Sequence, residues 1–124
     1  MQFNKLIPEL DVSNLEKSLH FYVDLLGCSI EYRREESKFI FLSLQGSQIM
    51  LQERNGNWET GALEHPYGRG INFQIQVNSI DLMLDVLFKS SYQLMKEPWE
   101  SWYRRDDMFN GQREFLVQDP DGYL

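Results

Sequence analysis

The sequence predicts an α+β fold in which one strand–helix–three-strand unit occurs twice in tandem, and three observations carry that expectation. An amphipathic helical pattern follows a short apolar first strand. Three strand-like runs separated by turn residues follow the helix, and the same order restarts after a glycine- and charge-rich stretch in mid-chain. The halves share pattern rather than residue identity.

Residues 3–11 read as the first strand. In "SNLEKSLHFYVDLLG", Ser13 and Glu16 have capping-box spacing, and Leu15, Leu19, Tyr22, Val23 and Leu26 recur at helical intervals. Gly27 stands where a left-handed C-terminal cap is wanted. The runs "CSIEYRR", "KFIFLSL" and "SQIMLQE", divided by "EES" and "QGS", predict an antiparallel meander. "RNGNWETGALEHPYGRG" lacks periodicity and reads as a connection. After it, "INFQIQV" alternates as a strand should, with Ile71, Phe73, Ile75 and Val77 on one face and Asn72, Gln74 and Gln76 on the other. A second helix is predicted with Asn78 as N-cap, Asp81 in its first turn, and Ile80, Met83, Leu84, Leu87 and Phe88 on one stripe. The strand "YQLMKE", a long aromatic loop "PWESWYRRDDMFNG" and the strand "REFLVQ" complete the second half. Asp119-Pro120-Asp121-Gly122 is a tight turn into Tyr123-Leu124, where a final strand begins and is minimal or incomplete. The expected organisation is one domain, residues 1–124, with modules at about 1–54 and 70–124 joined by a linker at 55–69.

A chain of 124 residues suits one core. An apolar fraction of 42% and an aromatic fraction of 14% describe a folded protein and exclude intrinsic disorder. The formal charge of −7, from 12 basic and 19 acidic side chains, argues against nucleic acid and anionic lipid as partners, and no Lys/Arg cluster offers a phosphate footprint. It suits a cationic or neutral small molecule. Cys28 is the only cysteine, which rules out an intramolecular disulfide and fits a reducing, cytoplasmic setting. "MQFNKLIPELDV" has no apolar run of signal-peptide or membrane-span length.

The tandem arrangement, together with "LIPELDVSNLEKSLHFYVDLLG" near the start and "GQREFLVQDPDGYL" at the end, resembles the vicinal oxygen chelate superfamily of glyoxalases, bleomycin resistance proteins and extradiol dioxygenases, and most of all its bleomycin-resistance-like branch. The resemblance spans nearly the whole chain. It implies curled mixed sheets with helices packed outside and ligands bound on the inner face, often in clefts completed by a second chain. "DPDGYL" then becomes the turn into an eighth strand, and Asn72, Gln74 and Gln76 line the cleft or meet ordinary solvent.

Metal-dependent members of that superfamily carry His or Glu ligands on the first, fourth, fifth and eighth strands. By that resemblance the first position falls on Ile7 or Pro8, the fourth-strand position on Gln52 or Glu53, and the fifth on Asn72, while the eighth lies past Leu124. At best Glu53 and the residue past Leu124 remain as donors, too few for a catalytic ion, which needs three or four converging N, O or S ligands. His20, on the first helix, and His65, in the mid-chain connection, do not restore a set. Cys28 follows a helix C-terminus, the end that raises a thiol pKa, and neither a GxSxG elbow nor a phosphate loop is present. No catalytic residue, metal or cofactor is therefore expected.

The candidate ligand-binding residues are Glu53, Trp58, Asn72, Gln74, Trp99, Trp102, Tyr103 and Glu114: rings for stacking, carboxylates for a cation and amides for orientation. The expected function is a metal-free, homodimeric small-molecule binder of the bleomycin-resistance kind that sequesters a cationic or aromatic ligand. The alternative is a metal-dependent glyoxalase-like lyase or dioxygenase with an atypical ligand set.

Overall fold

In the computed structural model, which describes residues 1–124, the chain is α+β. It runs β1 (Glu9–Val12), α1 (Leu15–Leu19) continued by a π-helical stretch (His20–Leu25), β2 (Ser29–Arg34), β3 (Phe39–Leu44), β4 (Ser47–Glu53), α2 (Ile80–Lys89), β5 (Lys96–Arg105) and β6 (Met108–Leu116). The first half is the predicted strand–helix–three-strand unit. Its sheet has the order β1-β4-β3-β2, with β1 parallel to β4 and the other pairings antiparallel.

Period-two alternation divides this sheet into two faces. Leu10, Val12, Ile40, Leu42, Ile49 and Leu51 meet Leu15, Leu19, Phe21, Tyr22 and Leu25 of the first helix, and Leu87 of α2 closes the same core. The opposite, inner face carries Glu9, Asp11, Phe39, Phe41, Met50 and Gln52, as the registers Asp11 with Gln52, Phe39 with Gln52 and Phe41 with Met50 require. A bulge between Ile30 and Tyr32 shifts the phase of β2. Tyr32 is thereby turned onto the inner face, where its ring stacks on Phe41 at 5.1 Å and 16°.

Several local expectations are corrected. The first strand is Glu9–Val12 rather than 3–11. Asn14, not Ser13, caps α1 by accepting from the Lys17 N–H at 3.0 Å, because the Ser13 hydroxyl donates instead to the Asp121 carboxylate. Gly27 does end the helix with φ +86°. Ser79, not Asn78, caps α2: its hydroxyl accepts from the Asp81 N–H at 3.3 Å. On α2, Leu87 is buried while Phe88 is 83% exposed. "INFQIQV" forms no ladder. A strand needs a neighbour with matching free backbone groups, and here the Phe73 N–H donates to the Leu124 carbonyl at 2.9 Å while Ile71 and Ile75 remain exposed.

The largest correction concerns the aromatic loop. "PWESWYRRDDMFNG" is not a loop: it supplies most of β5 and the start of β6, an antiparallel hairpin turning at Asp106, whose φ is +56°. Asp tolerates that left-handed conformation, and the Trp and Tyr residues favour an extended backbone.

The terminal turn joins the halves. One oxygen of Asp119 accepts from the Tyr22 hydroxyl at 2.8 Å, and the other accepts from the N–H groups of Asp121 and Tyr123, both at 2.9 Å. Asp121 accepts from the Ser13 N–H at 2.9 Å, and the Tyr123 hydroxyl donates to the Asp11 carbonyl at 2.9 Å. Burial raises the Asp119 carboxyl above its usual range despite these donors, and pushes the Tyr22 hydroxyl well above its own.

Candidate functional site

The inner face of the first sheet is floored by Phe39, Phe41 and Tyr32. Asn4 donates to Gln48 Oε1 at 2.7 Å and to the Gly46 carbonyl at 3.0 Å, which lays Phe3 edge-on to Phe41 at 5.4 Å. The Arg34 guanidinium lies 3.9 Å over the Phe39 ring. Beyond this aromatic floor the face turns polar. Asp11 and Gln52 sit side by side on β1 and β4, both 8% exposed, with Glu9 two residues along. Gln52 accepts from the Trp58 indole N–H and donates to the Ser37 carbonyl, each at 3.3 Å. Burial first, and then the charge of Glu59, raises the Asp11 carboxyl, while Arg54 pulls it back. Glu9 is raised by burial and then by Asp11.

The second half presents a separate patch on one face of the β5–β6 hairpin. Trp99 and Glu114 are direct cross-strand partners. The Tyr103 hydroxyl donates to Glu114 Oε1 at 2.8 Å, Gln112 donates to the other Glu114 oxygen, and Gln74 reaches Gln112 at 3.5 Å. The Lys96 ammonium stands 3.8 Å over the Trp99 ring. On the opposite face Trp102, 67% exposed, lies across Gly111, where a Cβ would come within 2.5 Å of the ring, and Arg113 pairs with Asp81 of α2.

The structure thus brings Trp99, Tyr103, Glu114 and Gln74 together and sets Trp102 behind them. Trp58 belongs to the first patch. Asn72 is exposed on the extended segment before α2. Glu53 points to the helix side of its sheet: Oε2 accepts from the Leu15 N–H and Oε1 from Lys38, both at 3.1 Å, so the carboxylate closes the N-terminus of α1. The Leu15 hydrogen bond, then Lys38, holds its pKa below the usual carboxylate range. The Glu53 contribution to stability is therefore present above the unfolded carboxylate pKa and lost as pH falls through the folded one. Glu53→Gln should lower the urea midpoint modestly at pH 7 and have no effect below that window, which parallel denaturation curves at the two pH values would check.

Asp11 and Glu9 are inner-face residues outside the candidate set named from the sequence. Their signal was the alternation Glu9-Leu10-Asp11-Val12, in which two apolar helix-facing residues interleave with two carboxylates. Cys28 is buried, and burial pushes its thiol up to about 11, as an inert structural cysteine requires.

The donors at the superfamily's metal positions do not fit a divalent ion. Ile7 is apolar. The fourth-strand residue on the inner face is Gln52, whose amide oxygen and nitrogen are engaged by Trp58 and Ser37. Asn72 is a neutral amide on an unpaired segment, and no three His, Cys, Asp or Glu side chains converge anywhere in the chain. No helix is long and apolar enough to cross a membrane.

A helix-covered mixed sheet with a partly polar inner face, followed by a second helix and hairpin stapled back by an Asp-Pro-Asp-Gly turn, defines a small α+β class. The particular family follows from comparison. The model of the Glyoxalase/Bleomycin resistance protein/Dioxygenase superfamily matches residues 8–124, and the chain belongs to that superfamily. A superfamily member from Vibrio splendidus 12B01 is 32% identical, over 93% of this chain and 88% of that one, with a TM-score of 0.39. A virulence protein from Salmonella typhimurium shares the fold at a TM-score of 0.66 and 20% identity, covering 99% and 94% of the two chains. A protein from the mobile metagenome of V. Pseudocholerae does so at 0.67 and 20%, covering 99% and 92%. No curated protein matches the chain.

Proposed function

We propose that this chain is a small-molecule binding protein that holds a cationic or aromatic ligand without a metal, in a cleft completed by a second copy of itself, as in the bleomycin-resistance-like branch of its superfamily. The observation that carries this reading is the Trp99–Tyr103–Glu114 set with the Lys96 ammonium already 3.8 Å over the Trp99 ring. The Trp99 face already holds a cation, and a ligand cation is able to take over that cation–π contact from Lys96, with the Glu114 carboxylate on the neighbouring strand. Self-association is supported by the hairpin itself. Two strands alone are marginally stable in water, and Trp102, Tyr103, Met108 and Phe109 at its free end are each at least half exposed. A second copy covers such a surface.

Sedimentation equilibrium at micromolar concentration should give twice the chain mass. On that dimer, N-methylquinolinium should quench indole fluorescence. Trp99→Ala should weaken its binding roughly 2- to 30-fold, the span of one cation–π contact. Added salt should remove only part of the affinity, because stacking survives screening. A monomer whose quenching is indifferent to Trp99→Ala would sink the reading.

A further inference from the structure

The inner face of the first sheet contains a carboxylate without a partner. Asp11 is 8% exposed, and its Oδ1 is sealed from solvent and accepts no hydrogen bond. A carboxylate withdrawn from water without a donor is costly. The groups paired around it direct their hydrogen bonds elsewhere. Arg54, the cation acting on Asp11, is held by Glu59 at 2.8 Å and by the Tyr67 hydroxyl at 3.1 Å. The Gln52 amide donates to Ser37, the Trp58 indole to Gln52, and the Tyr123 hydroxyl to the backbone carbonyl of Asp11 itself. The remaining neighbours, Glu9 and Glu59, add negative charge instead of relieving it. An external cation reaching the exposed edge of this carboxylate would supply hydrogen bonds that the groups paired around it do not.

We propose that Asp11, flanked by Glu9, seats the cationic end of a small ligand, a primary ammonium or guanidinium, while the flat part of that ligand lies against Trp58. The exposed edge of Asp11, 8% of its surface, is where the charged end would enter. Trp58, 64% exposed and fixed by its indole N–H to Gln52 beside Asp11, offers the ring face there. This rests on reading the inner face as the ligand surface, but uses a different patch from Trp99 and Glu114. It also moves the acidic role from Glu53, which closes a helix, to Asp11.

The test uses the full chain and two probes, 2-naphthylmethylammonium and the neutral 2-naphthylmethanol, titrated calorimetrically, with melting curves recorded in their absence. The wild type should prefer the ammonium roughly 10- to 100-fold, the range for a hydrogen-bonded charge. Asp11→Asn should erase that preference, and Trp58→Ala should weaken both probes alike. Without probe, Asp11→Asn should melt higher than the wild type, because the uncompensated buried charge is gone. Binding should fade as pH falls through the raised Asp11 pKa, with Glu9, Glu59, Arg54 and Tyr123 as the other charged or titratable groups facing it. A lower melting temperature or failure to fold for Asp11→Asn would show that the carboxylate has a structural partner and overturn the proposal. So would an ammonium preference that survives Asp11→Asn and is lost instead in Trp99→Ala, which would place the cation on the Trp99–Glu114 patch. Binding of neither probe would overturn this inference and the inner-face reading together.

Discussion

Asp119→Ala should lower stability by about 4 kcal/mol, measured as a reduced urea midpoint with little change in slope. The carboxylate is 4% exposed and is the acceptor for three groups: the Tyr22 hydroxyl and the N–H groups of Asp121 and Tyr123. Truncation leaves all three without a partner in a region that excludes water, at about 1–3 kcal/mol for each orphaned group, with partial relaxation. Tyr22→Phe removes one donor and leaves the carboxylate its other two, so its cost should be about 1 kcal/mol. The pH dependence has the opposite sense to that of Glu53. Because burial raises the folded pKa of Asp119, ionisation is penalised in the native state. The associated stability is fully present below the unfolded pKa and declines as pH rises through the folded one. Asp119→Asn, which cannot ionise, should lack that decline, and a small or absent effect of Asp119→Ala would show that the turn does not staple the halves.

Gly122→Ala should cost about 3 kcal/mol or more by the same measurement. Gly122 has φ +97°, and a Cβ there would lie 2.5 Å from Pro66 Cβ and 2.7 Å from its Cα. A strained backbone region adds about 1–2 kcal/mol for a residue with a Cβ, and overpacking against atoms that move only with the chain adds about 1–3 kcal/mol. Gly27 provides the control. It has φ +86° but nothing within 4 Å of the added carbon, so Gly27→Ala should cost only about 1 kcal/mol. Equal losses at the two sites would mean that Pro66 yields and the close approach is unimportant.

These sites lie in a motif that was legible from sequence as a turn and as a family mark, but whose buried hydrogen bonds were not. The helix, the meander and the Gly27 cap were readable because each depends on residues within a turn or two of one another: apolar spacing, polar breaks and a glycine free of side-chain strain. The superfamily was readable for the same reason, through contiguous stretches at the two ends of the chain.

Other features depended on distant partners. "INFQIQV" alternates as strictly as any strand in the chain, yet makes no ladder, because its pairing depends on a neighbouring backbone and only Leu124 meets it. "PWESWYRR" carries no hairpin glycine and still pairs from Lys96 to Arg105. For the site, alternation determined that Gln52 and Glu53 face opposite sides, and equally that Trp102 is parted from Trp99 and Tyr103 once these lie in one strand. Which side is inner was decided by where the helix packs, and for Tyr32 by a bulge of one residue. The sequence by itself determined the α+β class, the first-half architecture and the family. Only tertiary structure decided that Glu53 closes a helix and that Asp11 is left without a donor, since a side chain's partners lie on other segments, and burial turns the lack of one into a free-energy cost.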